Sequence, residues 1–387
     1  SRTAVSLHGS NDKCKKLLDL EGVDFYLINH DGIRVRKKLL QSAKFDLVIV
    51  DEGSKYGNAS TERYDALYEL ITPQMRVWWM TGTPTAKGPE TAWAQCKIIC
   101  PERVPQFFNA WRHKTMLRIN AVKWAPRHDW KEIVFEAMQP AIRFKKSDVL
   151  DLPPMAWVFR EALLSKEQEE IAAKLKAEGA MQVGTLGLSA ANGGVMAMKM
   201  RQIYCGAVKG DTGEVIELDY KPRFDVLLEV IEEAQSKVIV FVPFTHSLNR
   251  IANDLTKAGF TCGIIDGNVS KKDRDNVLDA FSGHPTPEIL VANPEAAAHG
   301  LNLTAADTIV WFAPNNSSEV YVQANERINR PGQTLAMRIV HIFCNATEAK
   351  RYKGLQDNQS EAEMLLDMYR EMFGKDFKFK STARDMT

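Results

Sequence analysis

Phe45-Asp-Leu-Val-Ile-Val-Asp51-Glu52-Gly-Ser54 sets a short, β-branched apolar run directly against two adjacent carboxylates and a glycine turn. A run of that length, bounded by turn residues, reads as a buried strand. Asp24–Ile28 and Val77–Met80 repeat the pattern on either side of it. Lys237–Val242, Thr261–Ile265, Glu288–Ala292, Thr308–Phe312 and Met337–Phe343 repeat it in the second half. Helical patterns lie between them. Leu248, Ile251, Ala252 and Leu255 recur at i, i+3, i+4 and i+7, with Gly259 placed to end that helix. Ser270 with Asp273, and Ser165 with Gln168, mark two further helix starts. Strands alternating with helices predict an α/β fold built on parallel sheets.

The chain has 387 residues, more than one ordinary domain, and two to three are expected. Lys+Arg 50 against Asp+Glu 49 gives a net charge of +1, so any polyanion-binding face must be local. One such region exists. Residues 101–150 hold ten Lys/Arg and five Asp/Glu, a local net of +5, together with Trp111, Trp124 and Trp130. Trp111 and Trp124 read either as base-stacking platforms or as packing within a helical connector. Asp151-Leu-Pro-Pro154 reads as an extended linker and Gly184–Gly194 as a mobile loop. The six cysteines are too scattered for a metal site and read as buried thiols. No apolar run reaches the ~20 residues that span a bilayer, and no signal-peptide pattern opens the chain. A cytoplasmic protein without membrane contact is expected.

Three motifs carry chemistry. At the carboxyl end of a parallel strand, Asp51 can hold a hydrated Mg²⁺ and Glu52 can polarise an attacking water. Taken alone, the same residues also read as a solvated turn. Trp79-Met-Thr81-Gly82-Thr83-Pro84 again follows an apolar strand, and by itself is a common turn. In Gln323-Ala-Asn-Glu-Arg327-Ile-Asn-Arg330-Pro-Gly-Gln333, a helix would put Gln323, Arg327 and Arg330 on one face. Two guanidinium groups aimed together suit a polyphosphate transition state; a solvated basic face is the other reading.

In this order, the three resemble motifs II, III and VI of superfamily-two helicases and translocases. Lys237-Val-Ile-Val-Phe-Val-Pro-Phe244 is similar to motif IV, and Ala298-His-Gly300-Leu-Asn302 to motif V. Ile142-Arg-Phe-Lys-Lys146 before Leu152-Pro-Pro, and Met200-Arg-Gln-Ile-Tyr-Cys-Gly206, resemble the Swi/Snf-like branch, most closely its phage-encoded members. The resemblance covers roughly residues 20–345. Ser54 stands where the family usually has His, and His299 where it has a small residue.

The resemblance implies two RecA-like parallel-sheet lobes. A partial first lobe is expected over 1–152, with a basic helical insertion at about 101–146. A second lobe with a helical entry segment is expected over 153–350, and a helical tail over 351–387. It also implies ATP and Mg²⁺ as cofactors. Asp51 and Glu52 would hold the metal, Glu52 acting on the hydrolytic water. Arg327 and Arg330 would serve as arginine fingers. Gly300, Asn302 and Gln323 would line the nucleotide cleft, and Thr81, Gly82 and Thr83 would couple nucleotide state to DNA contacts. Asn29, Lys145, Lys146, Phe244, Thr245 and Asn293 are further candidate nucleic-acid contacts. The expected partner is DNA, double-stranded and held through phosphates.

One part of the family pattern is missing. No Gly-x-x-x-x-Gly-Lys-Ser/Thr occurs in the 387 residues. The chain therefore reads as a core lacking its first strands, by truncation, a split gene or sequence lying outside it. A segment N-terminal to Ser1 becomes a further expected partner, and little ATP turnover is expected without it. Localisation would be the host cytoplasm if the gene is phage-encoded. The alternative is a non-catalytic DNA- or partner-binding module derived from a helicase core.

Overall fold

The computed structural model describes residues 2–82, 84–85, 88–121, 123–141, 150–297 and 301–357. The chain divides into two compact units, Ser1–Arg143 and Phe144–Thr387.

Unit 1 opens with β1 (Ala4–Ser6), α1 (Asn11–Leu18), β2 (Phe25–Leu27), α2 (His30–Val35) and α3 (Lys37–Ser42). It continues with β3 (Leu47–Val50), α4 (Glu62–Leu70), β4 (Arg76–Trp79) and α5 (Glu90–Ile99). β1 pairs with β2 and β3 with β4, both in parallel. Alternate strand residues (Tyr26, Val48, Val50, Val77 and Trp79) pack on a core supplied by Cys14, Ile33, Leu40, Leu67 and Ile98 of the helices. Their neighbours face the other way: Phe25, Leu27, Ile49, Trp78 and Met80 are exposed. The expected helical insertion is only partly helical. Between α6 (Phe108–Thr115) and α7 (Trp130–Ala137), β5 (Met116–Arg118) and β6 (Trp124–Pro126) form an antiparallel hairpin. Trp111 is fully buried, its indole N–H donating to Pro89 O at 3.0 Å, which excludes it as a stacking platform.

Unit 2 opens with β7 (Met155–Glu161), α8 (Lys166–Glu178), β8 (Ala180–Val183), β9 (Leu186–Ser189) and α9 (Gly193–Tyr204). The Gly184–Gly194 stretch is thus not a loop throughout. Met181, Val183, Leu186 and Leu188 close a hairpin over an apolar cluster, Gly184 turns it at φ 60°, and Asn192 caps α9. Next come β10 (Ala207–Lys209), β11 (Val215–Glu217), α10 (Lys221–Glu232), β12 (Lys237–Phe241) and α11 (Thr245–Lys257). Then follow β13 (Cys262–Ile265), α12 (Lys271–Gly283), β14 (Ile289–Ala292) and α13 (Pro294–Ala297). The last elements are β15 (Ala306–Trp311), α14 (Ser318–Asn325), β16 (Met337–Phe343) and α15 (Ala346–Gln356). Six strands form one parallel sheet in the order β13-β14-β12-β15-β16-β7. Apolar clusters cover both faces of it, one around Val238, Val240 and Leu248, the other around Ile239, Trp311 and Tyr321. This doubly covered parallel sheet is the arrangement that uninterrupted Val/Ile/Leu runs require.

Candidate active site

β3 delivers the acidic pair. Asp51 follows its last residue and is exposed; one carboxylate oxygen accepts the Glu52 N–H at 3.0 Å. Glu52 has φ 50° and ψ 49°, the left-handed region, the only non-glycine there among the described residues. Such a backbone costs on the order of 1 kcal/mol and persists where surrounding contacts over-determine it. Those contacts are visible. Met80 N–H donates to Val50 O at 2.8 Å and Gly53 N–H to Met80 O at 2.9 Å, so the end of β4 grips the turn. A Cβ on Gly53 would lie 1.9 Å from Trp79 Nε1, so this position admits only glycine without a shift.

The second motif is fastened to the first. Trp79 Nε1 donates to Gln95 Oε1 at 3.0 Å, and Gln95 Nε2 donates to Pro84 O at 2.6 Å. Thr91 Oγ1 adds a bond to the same carbonyl at 3.2 Å. Thr81 and Gly82 therefore sit in a turn held by α5 and adjoining the acidic pair; Thr83 lies outside the described residues. Gln95 was not legible as a site residue, because nothing in its own helix marks it. Asn29 serves as the cap of α2, its Oδ1 accepting Gly32 N–H at 2.8 Å. Next to it, burial and the charges of Lys55 and Arg63 lower the His30 pKa, and Nδ1 is 3.0 Å from the Tyr56 hydroxyl.

In unit 2, Phe244, Thr245 and Asn293 meet at the carboxyl end of the sheet. Asn293 Nδ2 donates to Pro243 O at 3.3 Å and its N–H to Ile265 O at 2.8 Å, tying β12 to β13. Connections leave β12 towards β13 and leave β15 towards β16, which makes the junction between β12 and β15 a topological switch point, the usual ligand crevice. Arg201 of α9 occupies it. Its guanidinium lies 5.3 Å from the Phe244 ring and donates to Pro314 O at 2.6 Å and to Asn316. Arg351 reaches the same Asn316 at 2.8 Å.

The arginines do not share a helical face. α14 ends at Asn325, so Gln323 is helical but Arg327 and Arg330 lie in the turns beyond it. The reason is chemical. In a continued helix Arg327 O would accept from residue 331, but Pro331 has no N–H. Arg327 O instead accepts from Leu303 N–H at 3.1 Å, and Arg327 Nη1 donates to Leu301 O at 3.3 Å. The buried Arg327 thus clasps the segment carrying Asn302. Arg330 stays half-exposed, with Nε donating to Glu326 O at 3.3 Å. Gln333 completes the clasp through Ala306 O at 2.9 Å. Gly300, Lys145 and Lys146 lie outside the described residues, as does most of the tail, from 358 onward.

Comparison with known proteins follows this anatomy. The SNF2-related domain matches residues 3–205, more than half of the chain, and the helicase conserved C-terminal domain matches 222–332. The chain belongs to the SNF2-related family. It is 25% identical over 316 residues to a Xenopus tropicalis SWI/SNF-related matrix-associated actin-dependent regulator of chromatin subfamily A-like protein 1, covering 79% of this chain and 32% of that protein. An uncharacterised ATP-dependent helicase of Mycoplasma genitalium is 23% identical, covering 87% of this chain and 32% of the other. The chain thus spans about a third of the length of these relatives. A solved Sulfolobus solfataricus SWI2/SNF2 ATPase core in complex with dsDNA aligns at TM-score 0.40 and 20% identity, over 95% of this chain and 78% of that one. The SNF2-related match contains the acidic pair and the turn after β4, and the helicase C-terminal match contains the arginine motif as far as Gly332. No helix among the described residues is long and apolar enough to cross a membrane.

Proposed function

We propose that the protein containing this chain is an ATP-dependent translocase acting on double-stranded DNA. The observation that carries this is the acidic pair: two carboxylates on a strained turn at the end of a parallel strand, inside a SNF2-related sequence block. The names of its relatives, an ATP-dependent helicase among them, support the use of ATP.

ATP would bring Mg²⁺. That ion keeps several waters and takes one or two carboxylates plus phosphate oxygens, so the exposed Asp51 fits it without a protein cage. When bound, the ion supplies charge neutralisation at the transferred phosphoryl group. Glu52 then orients the attacking water and takes up its proton, while the half-exposed Arg330 stabilises the developing charge. Arg327 holds the Asn302 segment in place. The fingers of the family motif thus divide into one contacting and one positioning residue.

The phosphate cradle is assigned to a segment outside the 387 residues. Parallel sheets are ordinarily covered on both faces. β3 and β4 cover only one, leaving Trp78 60% exposed beside Ile49 and Met80, and among the described residues β4 pairs only with β3. A strand along the open edge of β4, followed by a helix over that face, would complete the sheet and bring a phosphate loop to its carboxyl end. The test is DNA-stimulated ATP hydrolysis by a protein extended upstream of Ser1. Hydrolysis is expected there, little in the 387-residue chain, and none with Asp51→Asn or Arg330→Ala. Full activity in either variant would overturn the reading.

A further inference from the structure

From Arg103 to His128 the chain has no Asp or Glu, but has Arg103, Arg112, Lys114, Arg118, Lys123 and Arg127. Three of these charges are paired with neighbours, Arg112 with Glu90 at 2.5 Å, Arg127 with Asp129 at 3.1 Å and Arg103 with Glu102 at 4.0 Å. Lys114 and Lys123 have no ion pair among the described residues. Among the described residues Arg118 donates to two carbonyls, Asn120 O at 3.2 Å and Ala121 O. Uncompensated positive charge is therefore concentrated on the β5–β6 hairpin and the helix end leading into it.

The hairpin is two-faced. Trp124 is pinned on α6 between the Arg112 guanidinium, 5.0 Å from its ring, and the His113 ring at 4.9 Å. Met116 is buried on the same side. The tip is locked by Ile119 N–H to Lys123 O at 2.9 Å and Lys123 N–H to Asn120 Oδ1 at 2.8 Å. With one face anchored, strand alternation turns Leu117 and Ile119 outward, 48% and 58% exposed. Apolar side chains displayed amid cations fit a ligand that is both polyanionic and apolar within. Duplex DNA is such a ligand: proteins insert apolar wedges between base steps while cations hold the flanking phosphates.

We propose that the β5–β6 hairpin is a DNA wedge, with Lys114 and Lys123 on backbone phosphates and Leu117 and Ile119 pressed into a base step that they partly unstack. This rests on the DNA-translocase reading and adds the element that distorts the duplex.

The test uses the 387-residue chain and a short duplex, labelled with fluorescein for binding and with 2-aminopurine for unstacking. The unaltered chain is expected to bind and to raise 2-aminopurine fluorescence. Lys114→Glu with Lys123→Glu should weaken binding and flatten the dependence of log K on log salt by about 2, since each phosphate contact contributes about 0.9. Leu117→Ser with Ile119→Ser should keep the salt slope and abolish the fluorescence rise. The single changes Lys123→Glu and Ile119→Ser, at exposed tip positions, give half-sized effects where a double variant fails to fold. A fluorescence rise surviving the serine substitutions excludes the wedge. A salt slope unchanged by the glutamates removes the hairpin from DNA altogether, as does a chain that binds no duplex. DNA-stimulated hydrolysis by the extended protein is read separately, so the wedge can fail while the translocase reading stands.

Discussion

Gly53 shows how one residue holds a catalytic turn in place. Glu52 occupies the left-handed region, and the next residue must pass beneath the Trp79 indole, which Gln95 fixes. Gly53→Ala forces its methyl into that ring, and the indole cannot retreat without breaking its bond to Gln95. A loss of about 1–3 kcal/mol in unit 1 is expected, the usual cost of overpacking a close contact. Urea denaturation followed by tryptophan fluorescence measures it; an unchanged midpoint would show that the turn relaxes freely. The acidic pair was legible in the sequence because a strand ending in carboxylates is a local pattern. Its clamp was not, since Gln95 and Trp79 meet only through the fold. The arginine motif was legible in composition but not in conformation: its spacing suggests one helical face, and Pro331 denies the helix the hydrogen bond that face would need.

At the scale of elements, continuous apolar runs identify the central strands well, because burial on both faces leaves no room for polar residues. Met337–Phe343 is a strand over its whole expected length, and Lys237–Phe241 over all but its last residue. β7 escaped notice because it is an edge strand with mixed residues, and β1 because three residues give no period. The β8–β9 hairpin was hidden by glycines that mark its turn rather than disorder. What joins the elements is equally non-local. Arg223 of α10 donates to Ile342 O of β16 at 2.7 Å and to Glu348 of α15 at 3.0 Å, with both charged side chains almost fully buried. Glu348→Ala leaves a guanidinium buried without its carboxylate. Such a change is expected to cost about 3–5 kcal/mol, against far less for replacing both partners by apolar residues of similar volume. Chemical denaturation of the single and double variants tests this; equal losses would mean that the pair's charge is not what orders these elements.

Among the described residues, the two units differ in how completely their sheets are covered, and only unit 2 has a fully buried histidine in its sheet. His341 lies in β16 among the Trp157, Phe159 and Tyr352 rings, with Nε2 2.7 Å from the Tyr321 hydroxyl and Nδ1 3.3 Å from Val158 O. Burial pushes its pKa down to about 4, opposed in part by the Val158 carbonyl. The direction of the stability effect follows from where protons bind. Below about pH 6.5 the unfolded chain protonates this histidine while the folded one keeps it neutral, so unfolding is favoured by proton uptake. Its contribution is complete above the unfolded pKa and declines as pH falls towards 4, by about 3 kcal/mol in total. Carboxylates also titrate in the lower part of this window, so the decisive quantity is a difference between proteins. Urea midpoints of unit 2 measured from pH 7 down to pH 4.5 should fall more steeply in the parent chain than in His341→Gln, which cannot take up the proton. Parallel pH profiles would mean that the imidazole takes up its proton in the fold as readily as in the unfolded chain, the Tyr321 hydroxyl and the Val158 carbonyl then accepting from a cation.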